Sequence, residues 1–279
     1  MKKGLILFAL VILMAVSLLG CQPQAPATQA TTPPETAVPA PASKLDTIKS
    51  AGKIMVGTSA DYPPYESVDN AGNYVGFDIE LMAAIAEGMG VTLEWVDMPF
   101  DSLVAAVQEN KIDLSISCFN YNEERDLKVD FSEAYYTSED AFLVGKGFTG
   151  TIAKPEDVAA FKVGVQSGTV QDEWLTTNLV DTGLLKAENL SRYERVDQAA
   201  LDLEAGRVDV LMADYVPAKA LVKQFDGFSV VLHAVLSTGP LNIVLPNGDV
   251  ALKAEIDKQI KALQDSGKID ELAEKYFSE

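Results

Sequence analysis

Two stretches of this sequence run in step, and that likeness narrows the fold more than any other feature. Asp101 to Cys118 reads DSLVAAVQENKIDLSISC, and Asp197 to Asp214 reads DQAALDLEAGRVDVLMAD. At a constant offset (197 − 101 = 96) they align without a gap. Each shows apolar residues at helical spacing, then a turn, then a short apolar run. Asp101 and Asp197 are the expected N-caps, and Asn110 and Gly206 the expected helix ends. Lys111-Ile112-Asp113-Leu114 and Arg207-Val208-Asp209-Val210 then lead into two strands. The likeness is either chance between two αβ units or the mark of two lobes of similar build.

The surrounding chain keeps the same alternation. Lys53–Thr58 (KIMVGT) reads as a strand. Asp78–Met89 reads as a helix with Ile79, Met82, Ile85 and Met89 on one face and Gly90 as its stop. Leu93–Val96 is a strand, Asp101–Gln108 a helix and Ile112–Cys118 a strand. The expected class is therefore α/β with mostly parallel sheets. Ligands of open α/β sheets bind beyond the carboxyl ends of the strands. That rule places Ser117-Cys118-Phe119-Asn120 and Ala213-Asp214-Tyr215 at a ligand site.

Charge removes several function classes. The chain has 279 residues, with 22 Lys+Arg against 41 Asp+Glu, a net charge of −19. Phosphate binding needs the opposite excess, so no nucleic-acid partner is expected. Electrostatic adhesion to an anionic membrane is disfavoured for the same reason. Two Cys and one His (His233) exclude a disulfide framework and argue against a Cys/His zinc cluster. No D-x-[DN]-x-[DN]-G calcium run is present. Neither a cofactor nor a metal is expected.

The N-terminus reads as an address. Lys2 and Lys3 precede an apolar run from Leu5 to Leu19, too short for a comfortable membrane span. The run ends Leu18-Leu19-Gly20-Cys21, which resembles the lipobox of bacterial lipoproteins and implies a lipid on Cys21. Residues 1–20 are thus an expected lipoprotein signal peptide. Residues 21–43 are an expected Pro-rich linker whose part after Cys21 holds six Pro and one charge, Glu35. Such a segment buries no core and acts as a leash. The folded part is 44–279.

Three loops suit a small zwitterion. Arg125, in Asn120-Tyr121-Asn122-Glu123-Glu124-Arg125, offers a planar fork for a carboxylate, and Asn122 can cap the helix that follows. Thr169, in Val163-Gly164-Val165-Gln166-Ser167-Gly168-Thr169, offers a hydroxyl at a helix start. Asp214, at a strand end, can accept from an ammonium. Singly, each has a plainer reading: surface ion pair, helix cap, loop cap. Together they match the two ends of an amino acid. Tyr62, Tyr65 and Phe100, in loops after strands, could supply aromatic walls.

The ordered set Gly57-Thr58-Ser59-Ala60-Asp61-Tyr62-Pro63-Pro64-Tyr65-Glu66, then Gly76-Phe77-Asp78-Ile79-Glu80-Leu81, then Glu124-Arg125 with Val129-Asp130-Phe131-Ser132, resembles the family 3 solute-binding proteins of ABC amino-acid importers. Gly206-Arg207-Val208-Asp209 and the C-terminal Gly267-Lys268-Ile269-Asp270-Glu271-Leu272-Ala273-Glu274-Lys275-Tyr276-Phe277 fit as well. The likeness runs over essentially all of residues 44–279. It implies a periplasmic-binding-protein-like fold, two α/β lobes joined by two hinge strands around a cleft. By position the lobes would be 44–136 with 240–279, and 137–239. The crossings would fall near Tyr135–Glu139 and Leu236–Pro240.

The resemblance also implies roles. Tyr62 and Phe100 would wall the ligand, Arg125 with Thr169 would take its carboxylate, and Asp214 its ammonium. Ser117, Cys118, Phe119 and Asn120 would add backbone and hydroxyl contacts. Ser59 stands where many relatives have an Asp, Gln166 where some have a basic residue, and Cys118 where Gly or Ser is usual. Loss of charge at 59 and 166 points to a neutral or polar amino acid. The implied protein is a lipid-anchored, extracytoplasmic monomer, not an enzyme, delivering its amino acid to a permease. Two other functions stand beside it: a sensor docking on a receptor, and a dehydratase-like enzyme on the same scaffold, for which Glu66, Glu124 and Asp140 form no recognisable dyad.

Overall fold

The computed structural model describes residues 43–278. The expected signal peptide, Cys21 and the linker up to residue 42 lie outside the described residues. Among the described residues two large sheets carry the architecture. In the first, the strand order is Thr92–Asp97, Lys53–Thr58, Leu114–Asn120, Pro240–Pro246, Val129–Phe131, with Tyr136–Thr137 also paired to Pro240–Pro246. In the second it is Leu190–Tyr193, Val163–Gln166, Val210–Asp214, Asp140–Val144, Ser229–Ala234.

Each sheet starts with three parallel strands and then turns antiparallel. The expectation of mostly parallel sheets is thus corrected. The strands that run the other way, Asp140–Val144 and Pro240–Pro246, enter their sheets directly from the other lobe. They need no helical crossover, so nothing holds them parallel.

The 96-residue repeat is structural. The helices Phe100–Gln108 and Val196–Glu204 stand at that offset. Asn110 (φ 55°) and Gly206 (φ 67°) both take the left-handed conformation that ends them. After the turn, Lys111 N–H donates to the Ala106 carbonyl, and Arg207 N–H to the Asp202 carbonyl. Ile112 and Val208 are both buried. Asp113 Oδ2 accepts from Met55 N–H at 2.8 Å, and Asp209 Oδ2 from Lys162 N–H at 2.9 Å. Asp113 fastens its turn to strand Lys53–Thr58, and Asp209 fastens its turn to the residue that leads into Val163–Gln166.

The expected N-caps are corrected. Pro99 and Arg195 occupy those positions, and Asp101 and Asp197 lie in the first turn. Their carboxylates remain near the helix N-terminus, where the backbone dipole favours them.

Helix Phe77–Met89 packs the first sheet with Phe77, Leu81, Met82, Ile85, Ala86 and Met89. The C-terminal helices Val250–Asp265 and Lys268–Phe277 lie against it. The chain passes between sheets after Tyr136–Thr137 and returns between Ala234 and Pro240. Ser138 N–H donates to the Gly239 carbonyl at 2.9 Å, so the two crossing segments touch. Asp140, fully buried, accepts from the N–H groups of Leu236, Ser237 and Thr238 and from the hydroxyls of Ser237 and Thr238. One carboxylate therefore ties the outgoing segment to the returning one.

Candidate functional site

The site begins at a bulge. Strand Leu114–Asn120 is buried throughout. Its pairing with Pro240–Pro246 jumps from Phe119↔Asn242 to Ser115↔Val244, so three residues oppose one. Cys118 there has φ 51°. The bulge takes the Cys118 N–H out of the ladder and gives it to Asp78 Oδ2 at 2.8 Å. Beside it, Ser117 Oγ accepts from Ser59 N–H at 3.0 Å and donates to Glu66 Oε1 at 2.8 Å.

One cavity collects the ends of both sheets. Ser59, Tyr62, Phe100, Ser117, Cys118, Asn120 and Arg125 line it from the first lobe, and Gln166, Thr169 and Asp214 from the second. Glu66, Val170 and Gln171 complete the wall. Phe119 is the one expected binding residue that does not line it. Its ring stacks behind Phe100 at 4.5 Å, and the Arg125 guanidinium carbon lies 5.4 Å from both ring centres. Phe119 thus supports Arg125 from the core side. Tyr65 is also core, edge-on to Phe77 at 5.9 Å. Tyr62 sits in the short strand Asp61–Tyr62, and Phe100 is the first residue of its helix rather than part of a loop.

The polar groups of the cavity bond to one another across the lobes. Arg125 Nη1 donates to the Asn120 carbonyl at 3.0 Å and Nη2 to the Gly168 carbonyl of the second lobe at 2.6 Å. Arg125 is buried rather than part of a surface ion pair, and burial lowers its pKa to about 10, so it stays charged. Asn122 Oδ1 caps its helix through Arg125 N–H at 3.0 Å, as expected. Asp214 Oδ2 accepts from the Tyr62 hydroxyl at 2.7 Å and from Gln171 Nε2 at 3.1 Å. Its Oδ1 has no hydrogen-bond partner among the described residues. Burial pushes Asp214 up to about 6, against the Tyr62 hydrogen bond.

Thr169 lines the cavity, but its hydroxyl is engaged. It accepts from Asp172 N–H at 3.1 Å and donates to the Gln166 carbonyl at 2.9 Å. With these contacts made, the room left for a water-sized body is ≈ 20 Å³, about one water. Sharing Phe100, Arg125 and Thr169 with the cavity, a groove of ≈ 500 Å³ opens between the lobes to solvent.

Sequence reasoning left Glu66, Gln171 and Asp78 out of the site. Glu66 and Asp78 are both buried, and each keeps one carboxylate oxygen, Glu66 Oε2 and Asp78 Oδ1, with no hydrogen-bond partner among the described residues. Desolvation pushes Glu66 well above the carboxylate range and Asp78 to about 7. At Glu66 the charge of Asp78 adds to that desolvation, since two close carboxylates disfavour each other's ionised form. Both stand in motifs already quoted; Glu66 lines the cavity, and Asp78 sits behind the wall, accepting from the Cys118 N–H at the bulge. Burial also pushes the Cys118 thiol up, which disfavours the reactive thiolate form.

Chemically, the cavity offers a buried guanidinium from one lobe, a carboxylate with one unpartnered oxygen from the other, two aromatic rings, hydroxyls, and a carboxyl whose pKa burial raises. Comparison with known proteins bears on that arrangement. The model of bacterial extracellular solute-binding proteins, family 3, matches residues 54–279. The L-cystine-binding protein TcyJ of Escherichia coli (strain K12) is 30% identical over 233 residues, 84% of this chain and 85% of that protein. The P235GK mutant of ArgBP from T. maritima superposes with a TM-score of 0.78 at 36% identity, over 85% of this chain and 100% of that one. The ancestral amino acid-binding protein AncCDT-1, a precursor of cyclohexadienyl dehydratase, gives a TM-score of 0.74 at 31% identity, over 85% of this chain and 100% of that one.

Proposed function

Because this chain belongs to the bacterial extracellular solute-binding proteins, family 3, we propose that it captures a free amino acid between its lobes and delivers it to an ABC importer permease. The carrying observation is that Arg125 of the first lobe and Asp214 of the second line one cavity. In this reading the ligand carboxylate takes the Arg125 donors now spent on the Asn120 and Gly168 carbonyls. The ligand ammonium takes Asp214, whose Oδ1 is the oxygen to spare. Tyr62 and Phe100 flank the side chain.

Ser59, Ser117 and Glu66, whose carboxyl burial biases toward its neutral form, offer hydrogen-bonding groups with no added cation, which supports a neutral or polar side chain. The relatives named for L-cystine and arginine make those two amino acids necessary members of any test. A lipid on Cys21 would hold the protein at the outer face of a membrane, with the Pro-rich segment as tether. The ancestral neighbour tied to a dehydratase keeps catalysis as the alternative to be tested.

The test is a thermal-shift screen of protein refolded to strip carried-over solute, against the twenty amino acids, L-cystine and related acids. A ligand that binds only the native state raises the melting temperature by mass action. A strong hit among neutral or polar amino acids is expected. A flat amino-acid panel would overturn the reading, and turnover of a prephenate-like acid would replace it with an enzyme.

A further inference from the structure

The two lobes meet at a second place, outside the binding cavity. Asp61 of the first lobe is 9% exposed and reaches across to the start of helix Val196–Glu204 in the second. Its Oδ2 accepts from the Val196 N–H, and its Oδ1 lies 3.7 Å from Arg195 Nη1. The Arg195 guanidinium forms a two-point pair with Asp97, Nη1 to Oδ1 and Nη2 to Oδ2, both 3.1 Å. Asp97 belongs to the first lobe and also accepts from Ala60 N–H at 3.0 Å. None of Asp61, Asp97, Arg195 and Val196 lines the cavity.

The internal repeat explains why these groups meet. Helices Phe100–Gln108 and Val196–Glu204 are counterparts at the 96-residue offset, and each points its N-terminal turn at the opposite lobe. On one side Val196 N–H meets Asp61, which opens the short strand Asp61–Tyr62 just after Lys53–Thr58. On the other, Asp101 packs against Gly168, in the loop after Val163–Gln166 of the second sheet. A Cβ on Gly168 would come within 3.0 Å of the Asp101 Cβ. The two contacts are reciprocal, but their chemistry differs. The Gly168 side is a close approach beside Arg125, and the Asp61 side carries the charges.

We propose that Asp61 and the Asp97–Arg195 pair form a latch that draws the two lobes together independently of the ligand, making them positioning residues for cleft closure. Planar two-point pairing fixes orientation as well as attraction, which suits a contact that must form at one lobe angle only. The latch also reaches the cavity wall. Ser59 Oγ donates to Asp61 Oδ1 at 2.6 Å, and Ser59 N–H donates to Ser117 Oγ. Both of these bonds lie within the first lobe, so Ser59 keeps its place in the cavity whether or not the latch is closed. Because the latch touches no ligand atom, it adds the same increment to every ligand and leaves the preference among ligands alone.

The inference rests on the binding reading above only for its ligand arm. The variants are Arg195→Ala and Asp97→Ala, singly and together, with Asp61→Asn as a milder change that preserves shape. Small-angle scattering of solute-stripped protein should give a larger radius of gyration for each variant than for wild type. The double variant should go no further than Arg195→Ala, which already removes the Asp97 pair together with the Asp61 contact. Stopped-flow dissociation of L-arginine, L-cystine and L-glutamine, whichever bind, should be about tenfold faster with association nearly unchanged and the ratio between ligands preserved. Arg195→Lys, which keeps the charge without the fork, should fall between. Unchanged scattering and dissociation at an unchanged melting temperature would overturn the latch. If no probe binds wild type, the amino-acid reading fails, and scattering alone still decides the latch.

Discussion

The Tyr62 hydroxyl is bonded twice to Asp214: it donates to Oδ2 at 2.7 Å and accepts from the Asp214 backbone N–H at 2.7 Å. Tyr62 and Asp214 belong to different lobes, so this pair crosses the cleft in the middle of the candidate site. It also orients the carboxylate, leaving Oδ1 for an incoming ammonium.

Asp214→Asn follows from that geometry. The amide keeps the shape but loses the charge that would answer an ammonium. Affinity for the amino acid should fall by about 2–3 kcal/mol, the scale of a hydrogen bond to a charged group. The des-amino analogue should lose far less. Calorimetric titration of both ligands checks this, and equal losses would remove Asp214 from the ammonium role.

Arg125→Ala removes the carboxylate fork and unseats the rings behind it, since Phe100 and Phe119 both pack on the guanidinium. A ligand carboxylate would then be buried without a partner. A loss of about 3–5 kcal/mol of affinity is expected. Arg125→Lys should recover only part, because one ammonium cannot copy a fork. Titration of the same ligand into both variants is the check, and wild-type affinity in Arg125→Ala would exclude this cavity.

How much of this was legible in the sequence depends on how far apart the partners lie. The repeat was legible because Ile112-Asp113 and Val208-Asp209 act locally, each closing a turn onto its own sheet. The walls of the cavity, Tyr62, Phe100, Arg125 and Asp214, were legible because they sit at strand ends and in an ordered motif. Phe119 lies behind Phe100 and lines the adjoining groove rather than the small cavity, a placement set by ring packing beside the bulge at residues 116–118. The same bulge brings Asp78 to Cys118, which no spacing rule shows. Asp61 and Val196 are 135 residues apart, and their meeting depends on how one lobe docks on the other. The helix starts moved to Pro99 and Arg195 because neither helix takes its cap from a side chain.

The buried acids give stability a direction with pH. Burial holds Glu66 well above its ordinary value, Asp78 at about 7, and Asp61 and Asp214 at about 6. An acid whose folded pKa is raised binds its proton more tightly in the folded state. Between pH 4 and 7 the folded chain then holds more of these protons, so stability falls as pH rises through that window. The melting temperature of solute-free protein should be higher at pH 5.5 than at pH 8. Glu66→Gln copies the protonated form, accepting from Ser117 and donating toward Asp78. It should leave the pH 5.5 value nearly unchanged, raise the pH 8 value and flatten the profile. A wild-type profile that rises from pH 5.5 to 8 would show that these acids do not hold their protons.

Cys118 carries the most confined backbone in the site. At φ 51° a side chain crowds its own carbonyl, which costs about 1–2 kcal/mol for a residue with a Cβ and more for a β-branched one. The conformation persists because it aims the Cys118 N–H at Asp78, which also accepts from the Tyr135 hydroxyl at 2.9 Å. Cys118→Gly removes a small buried side chain and relieves the crowding, and the two effects should nearly cancel. Cys118→Val adds bulk at the same φ and should destabilise by at least about 2 kcal/mol more than the glycine variant. Urea unfolding of the two variants measures the difference directly. Equal stability would mean that the backbone at 118 rearranges at no cost, and the bulge would then not be what fixes Asp78 beside Glu66.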